Sequence, residues 1–552
     1  MMHAYEMLAR AVRQEGTGTC FALLGDANMH FATALKSDGC RLVTVRHEHC
    51  ATCASMAYAR MSGEVGVSTV TCGPGLTQLM TALPAAVRAR IPVVVVAGEA
   101  PLRKRWYNQA IDQAPFVRAC GAEYVALHDP ATMPVRVRDA FLTARSGVPV
   151  VLAMPFDLQE EAWDGPTVLP PPSRTLVPNL APMAPAEPDL DRAAQAIDAA
   201  SRLVVIGGLG AVRAGAGPAL RALAERCGAL TATSLPARGL FHDDPFSLNV
   251  AGGFSHMAAR ERFAEADLVV AAGLSLASHN ADAGRLWPRA RLLQIDTDPV
   301  SIVQGRTAAD MHLRADARVA AEALVGRVAP RQGWRTRDVA ARIAATPVDT
   351  AVFPAQPGRH DPRDVAAALD GALPKDWVCV NSSGHCSFYA AHMQGRAADR
   401  FLTIREFGAI GNGISYAMGA AAARAGGRVV LFDGDGSLMM HVQELDTLRR
   451  EGLDVLIVVF NDRAYGSEIH KLRADGLPDG AATFGKTDFA AIAEGFGVPG
   501  RHVGDLAGLP ALAAEAAGTP GPIVWDVPIN DRVASPVIQR AHPQVLELDH
   551  HA

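Results

Sequence analysis

RVVLFDGDGSLMMHVQELDTLRREGLDVLIVVFND, running from Arg428 to Asp462, decides the fold. A short apolar run, RVVLF, breaks at a glycine-rich turn, a helical pattern follows, and a second apolar run, DVLIVVF, stops at Asn461 and Asp462. Runs of this length bounded by turn residues read as buried strands, and two of them joined through a helix read as a parallel pair. Working outward, the same alternation recurs. FALLG, RLVTVR, VGVSTVT and IPVVVVAGE lie near the start, RLVVIGG, DLVVAAG and RLLQID in the middle, and WVCVN and PIVWDVP flank the opening stretch. Three groups of strands predict an α/β protein of three domains, each a doubly wound parallel sheet covered by helices.

The length of 552 residues agrees, since ~150 residues per domain allows three or four units. Within 161–188, TVLPPPSRTLVPNLAPMAPAEP favours extended backbone and suits a linker. A second break falls around VAPRQGWRTRD and TPVDTAVFPAQPGRHDP. The expected domains are 1–165, 186–335 and 358–540.

A net charge of −5 without a basic stripe argues against nucleic acid as the main partner. No apolar run approaches the ~20 residues that span a bilayer, so no membrane partner is expected. The start, MMHAYEMLARAVRQEG, reads as an amphipathic helix with Tyr5, Leu8, Ala9 and Val12 on one side, not as a signal peptide. Nine cysteines without framework spacing fit a reducing compartment, and a cytoplasmic location is the expectation. Cys50 and Cys53 form a CxxC in a helical stretch, with no second pair to complete a zinc site, and read as small packing residues.

Both loops of the opening stretch lie at carboxyl ends of parallel strands, where such sheets place ligands. Magnesium takes hard oxygen ligands and shares them with phosphate, so Asp435, Asp462 and a loop carbonyl suit a metal bridging to a diphosphate. Gly434 and Gly436 allow close backbone approach, and Ser437 at a helix start can donate to phosphate.

GDG followed after 24 residues by Asn461 resembles the signature of the thiamine-diphosphate-dependent enzymes, GDG and then NN. The departure is Asp462 at the second asparagine position. The resemblance places Mg²⁺ on Asp435, Asp462 and the Ala464 carbonyl. In the first domain, RHEHCATCASMAYAR from Arg46 to Arg60 resembles the family helix RHExxAAxxAxGYAR, which puts Glu48 at the cofactor-activating position. A buried carboxyl against the aminopyrimidine ring can exchange a proton with N1′. TVTCGPGLTQLMTALPAAVRARIPVVVVAGE resembles the strand, GPG turn, helix and strand of the same domain, with Gln78 where asparagine is usual. FGAIGNGISYAMG places Ile410 where a bulky residue props the cofactor into its bent form, a positioning role. VCVNSSGHCSFYAA makes Ser383, Gly384 and His385 diphosphate contact candidates.

The whole chain resembles the acetolactate synthase large subunit and the benzoylformate and pyruvate decarboxylases. The resemblance implies a thiamine-diphosphate- and Mg²⁺-dependent carboligase that decarboxylates a 2-oxo acid and joins the fragment to an aldehyde or ketone. Its subunits would assemble as a homodimer or homotetramer, because Glu48 and the metal loop serve one site across an interface. LLGDANM keeps the alternative of a simple decarboxylase open, since Asp26 resembles the GDxN turn of those enzymes and could handle protons. AYGSEIHKL puts Glu468 where they carry a second acid; a solvated helix acid pairing with Lys471 or His470 is the other reading. Their tandem histidines are missing, and RWYNQAIDQ offers Asn108, Gln109 and Gln113 as polar pocket candidates. In the middle domain, SLASHNADAG replaces the aspartate–arginine pair of acetolactate synthase, and Ser278, His279 and Asn280 cannot form a guanidinium clamp. GGFSHM departs from the flavin-facing segment, so FAD is not expected. RLVVIGGLGAVRAG does not spell GxGxxG and reads as a Rossmann-like domain without a dinucleotide. A cofactor-binding protein without turnover is the remaining alternative.

Overall fold

The computed structural model describes residues 2–178, 181–298, 308–424 and 426–547. Its strands form three six-stranded parallel sheets, one after another along the chain. The first holds β1 (Thr19–Ala22), β2 (Arg41–Thr44), β3 (Gly66–Val70), β4 (Val93–Glu99), β5 (Glu123–Ala126) and β6 (Val150–Pro155), in the order β2-β1-β3-β4-β6-β5. The central sheet holds β7 (Leu203–Gly207), β8 (Leu230–Thr233), β9 (Ser247–Val250), β10 (Leu268–Ala272), β11 (Arg291–Asp296) and β12 (Met311–Arg314), ordered β12-β11-β10-β7-β8-β9. That is the doubly wound dinucleotide-fold order. The third holds β13 (Val378–Asn381), β14 (Phe401–Thr403), β15 (Val429–Gly434), β16 (Val455–Asn461), β17 (Gly500–His502) and β18 (Ile523–Pro528), ordered β14-β13-β15-β16-β18-β17. The first and third sheets therefore share one topology.

Helices cover both faces, which is why the inner strands are apolar throughout instead of alternating. Every residue of VLIVVFN in β16 is buried, as are all but the last of VVVVAGE in β4. The central sheet has a separate apolar cluster on each face. The first and third domains instead share one continuous core. At its centre, helix Glu48–Ser62, which follows β2, packs on helix Gly413–Ala422, which follows β14. Small residues permit the approach: a Cβ on Gly419 would lie 2.0 Å from the Ala54 carbonyl oxygen. Cys50 and Cys53 are fully buried in this contact. Arg238 of the central domain is buried against the third, donating to Ala390 O at 2.9 Å and Asn381 Oδ1 at 2.8 Å. No described helix is long and apolar enough to cross a membrane.

Candidate active site

The carboxyl ends of β15 and β16 deliver two acids to one point. Asp435 opens helix Asp435–Met439 directly after β15, and Asp462 follows β16. Both are buried, and their carboxyl groups share a hydrogen bond. Burial pushes Asp435 up to about 6, and burial with the neighbouring Asp435 charge drives Asp462 well above the carboxylate range. Two desolvated acids in contact form a hard-oxygen pair that a divalent cation would neutralise, so the donor set fits Mg²⁺. Asp462 Oδ1 accepts from Ala464 N at 3.2 Å, which folds the loop back beside the pair. Asn461 turns away, donating to Asp526 Oδ1 at 2.8 Å and Thr487 O at 3.0 Å, and so braces the loop from outside.

The remaining third-domain candidates gather around this turn. Gly411 N donates to Ser437 Oγ at 2.8 Å, and Ser437 Oγ lies 3.0 Å from Ser382 Oγ, which ties the loop after Ile410 to the start of the Asp435 helix. Gly384 has a φ of +100°, and a Cβ there would lie 3.8 Å from Ile410 Cγ2. His385 accepts from Ser535 N at 3.0 Å, and burial pulls it down to about 4, leaving a neutral ring. A Cβ on Gly466 would lie 2.2 Å from Asp462 Oδ2 and 3.1 Å from His385 Nδ1, so glycine there lets the acid and the imidazole share one space. Asp433, next to last in β15, was not among the sequence candidates. It is fully buried, accepts from Gly434 N at 2.9 Å and is pushed up to about 7 by burial.

Glu48 stands at the start of its helix, half-buried and without a hydrogen bond or ion pair among the described residues. The turn before it is gripped by the third domain. Arg46 N donates to Glu444 Oε1 at 2.9 Å, and Glu444 also accepts from Thr447 Oγ1 at 2.6 Å. His49 contacts Asn412 and His441, two partners that sequence reasoning missed. They lie hundreds of residues away in the chain, where no local pattern signals them.

Asp26 is exposed at the tip of a turn fixed by Asn28. Gly25 N donates to Asn28 Oδ1 at 2.8 Å, and Asn28 Nδ2 donates to Leu23 O at 3.0 Å and Thr69 Oγ1 at 3.2 Å. Tyr107 lies nearby, its phenol raised by burial and then by Cys72 and Asp26. Gln109 Oε1 faces both the Tyr107 hydroxyl at 3.4 Å and the Cys72 thiol at 3.5 Å. Gln113 is buried as a brace, accepting from Gly73 N at 2.8 Å and donating to Gly98 O at 3.0 Å, while Asn108 is exposed. Glu468 is 55% exposed and pairs with Lys471 at 3.4 Å.

A separate cleft of about 1150 Å³ opens at the crossover between β7 and β10, with Gly210 and Asp296 from the central domain, Arg90 from the first and Arg405 from the third. His279 and Asn280 line it.

Three family descriptions match in order: thiamine pyrophosphate enzyme N-terminal TPP binding domain over residues 2–116, central domain over 190–324, and C-terminal TPP binding domain over 382–527. The chain is 30% identical to the acetolactate synthase large subunit of Parasynechococcus marenigrum, over 95% of this chain and 87% of that protein. It is 28% identical to the acetolactate synthase isozyme 2 large subunit of Escherichia coli, over 96% of both. With the probable acetolactate synthase large subunit of Methanocaldococcus jannaschii it shares 27%, over 97% and 93%.

Proposed function

The chain belongs to the thiamine pyrophosphate enzyme family, and from that premise we propose that it is a Mg²⁺-dependent carboligase that decarboxylates a 2-oxo acid and joins the remaining fragment to an aldehyde or ketone. The observation that carries this reading is the buried Asp435–Asp462 pair at the ends of β15 and β16. Thiamine diphosphate, when bound, supplies an electron sink for breaking and making carbon–carbon bonds beside a carbonyl. Asp435, Asp462 and the Ala464 carbonyl would hold Mg²⁺ against its diphosphate, and Gly434, Gly436, Ser437, Gly384 and His385 would line that end. Ile410 would support the bend, and Glu48 would move a proton at N1′.

Glu48 has no hydrogen-bond or ion-pair partner among the described residues, and exposed apolar side chains flank both halves of the site: Leu24 and Met29 beside Asp26, Met439 and Met440 after the GDG turn. A second copy covering these surfaces would bring Glu48 to the neighbouring metal loop, so the reading requires at least a homodimer. Relatives named as acetolactate synthases support carboligation. The rigid presentation of Asp26 favours a second reading, a decarboxylase releasing an aldehyde, because an acid held at a fixed tip can protonate the product.

Incubation with thiamine diphosphate, Mg²⁺ and a panel of 2-oxo acids, with and without aldehydes, separates the readings by mass spectrometry. A joined product supports carboligation, aldehyde alone supports decarboxylation, and no CO₂ release from any acid refutes both. Glu48→Gln is expected to abolish exchange of the cofactor C2 proton while thiamine diphosphate still binds.

A further inference from the structure

The start of the Glu48 helix is clamped through the neighbouring His49. His49 Nε2 lies 2.7 Å from Asn412 Oδ1, and Asn412 Nδ2 donates to Tyr416 Oη at 3.0 Å. With its amide nitrogen on Tyr416, Asn412 presents its carbonyl oxygen to His49, which donates to it through Nε2, and the Cys53 thiol sulfur lies 3.3 Å from the same nitrogen. Burial pulls the His49 pKa down to about 4, and the ring is neutral with one fixed tautomer. His441 stacks on it with centroids 5.2 Å apart and planes 11° from parallel. His441 Nδ1 in turn donates to Gly411 O at 2.8 Å. On the other flank, His49 N donates to His47 Nδ1 at 3.2 Å, capping the first turn of the helix, and the His47 ring meets His441 edge-on at 5.1 Å. The three imidazoles do not constitute a metal site, because His49 Nε2 and His441 Nδ1 both point donors at oxygen.

The partners of this clamp belong to the chain's own GDG side, so in the proposed dimer it joins the Glu48 helix of one site to the cofactor loop of the other. Asn412 and Gly411 directly follow Ile410, and Gly411 N is bonded to Ser437 of the GDG turn. We propose that His49, held by Asn412 and His441, is a positioning residue for Glu48: it fixes the first helical turn against the loop after Ile410 and aims the intervening carboxylate. The inference rests on the reading of Glu48 as the group that moves a proton on the cofactor. A donor displaced by about 1 Å can cost a hundredfold in rate without loss of binding, which is the signature to seek.

Exchange of the C2 proton of bound thiamine diphosphate for deuterium, followed by NMR after acid quench on the full chain with Mg²⁺, reads this step without any substrate. His49→Phe keeps the ring stack and deletes the donor; Asn412→Ala deletes the acceptor from the other side and serves if the first variant does not fold. Each is expected to slow exchange about tenfold or more, with cofactor affinity within about threefold of the parent. His49→Gln places an amide N–H near the former Nε2 and is expected to return exchange to within about threefold of the parent, whereas a merely structural contact would show no such rescue. Parent-like exchange in His49→Phe or Asn412→Ala would overturn the proposal, as would a Gln variant no faster than the Phe variant. Absence of exchange in the parent protein would instead remove the reading of Glu48 on which the inference stands.

Discussion

At the scale of single residues, the acids of the two loops have unequal freedom to change. Asp435 opens a helix and meets Asp462 directly, so Asp435→Asn removes the charge next to the metal position, while Asp462→Asn keeps a carbonyl oxygen of the same reach. Asp462→Asn is expected to retain turnover within about tenfold, with a higher Mg²⁺ requirement in a metal titration of activity. Asp435 and Asp462, with Gly434 and Gly436 on either side of the first, were legible as candidates because their spacing along one βαβ unit is local. His49, Asn412 and His441 were not, since what joins them is the packing of two domains. Asn461 shows the opposite limit: motif position marked it, but only the fold turns its amide toward Asp526.

At the scale of elements, the strands were readable because burial on both faces leaves runs such as IPVVVVAGE with no polar alternation. The order of those strands, and which helix lies against which, has no comparable local signal. The contact between helices Glu48–Ser62 and Gly413–Ala422 depends on Gly419, whose missing side chain admits the Ala54 carbonyl. Gly419→Ala is expected to force the helices apart and to cost about 1–3 kcal/mol, measured as a lowered thermal midpoint. A larger loss of C2 proton exchange than of cofactor affinity would follow, because the displaced helix begins at Glu48.

At the scale of the molecule, the proposed dimer has a direct test. Mixed assembly of Glu48→Gln and Asp435→Asn chains is expected to restore about a quarter of the parent sites, assayed as C2 proton exchange, because each mixed dimer recovers one intact pairing. Each variant alone should remain inactive. The contribution of the buried imidazoles to acid stability has a definite sign, opposite to that of a buried acid such as Asp433, whose raised pKa favours the folded state as pH falls. His49 and His256 are buried, each with a pKa lowered by burial to about 4. At these two rings the unfolded chain therefore binds more protons than the folded one between about pH 6.5 and 4, so the stability they contribute rises with pH across that window and is lost as pH falls through it. Each ring is expected to cost about 2 kcal/mol at pH 5, a contribution that lowers the thermal midpoint between pH 8 and pH 5. His256→Asn, which keeps a side-chain acceptor for the helix cap at Ala259 N, should reduce that fall. The helices after β2 and β14 occupy equivalent places in two sheets of one topology, and they pack on each other. The chain thus packs two domains of one topology on each other through equivalent helices, each element meeting its own structural counterpart. A first domain severed from the rest would present a face shaped for a near-copy of itself, so self-association is the natural failure of the isolated half.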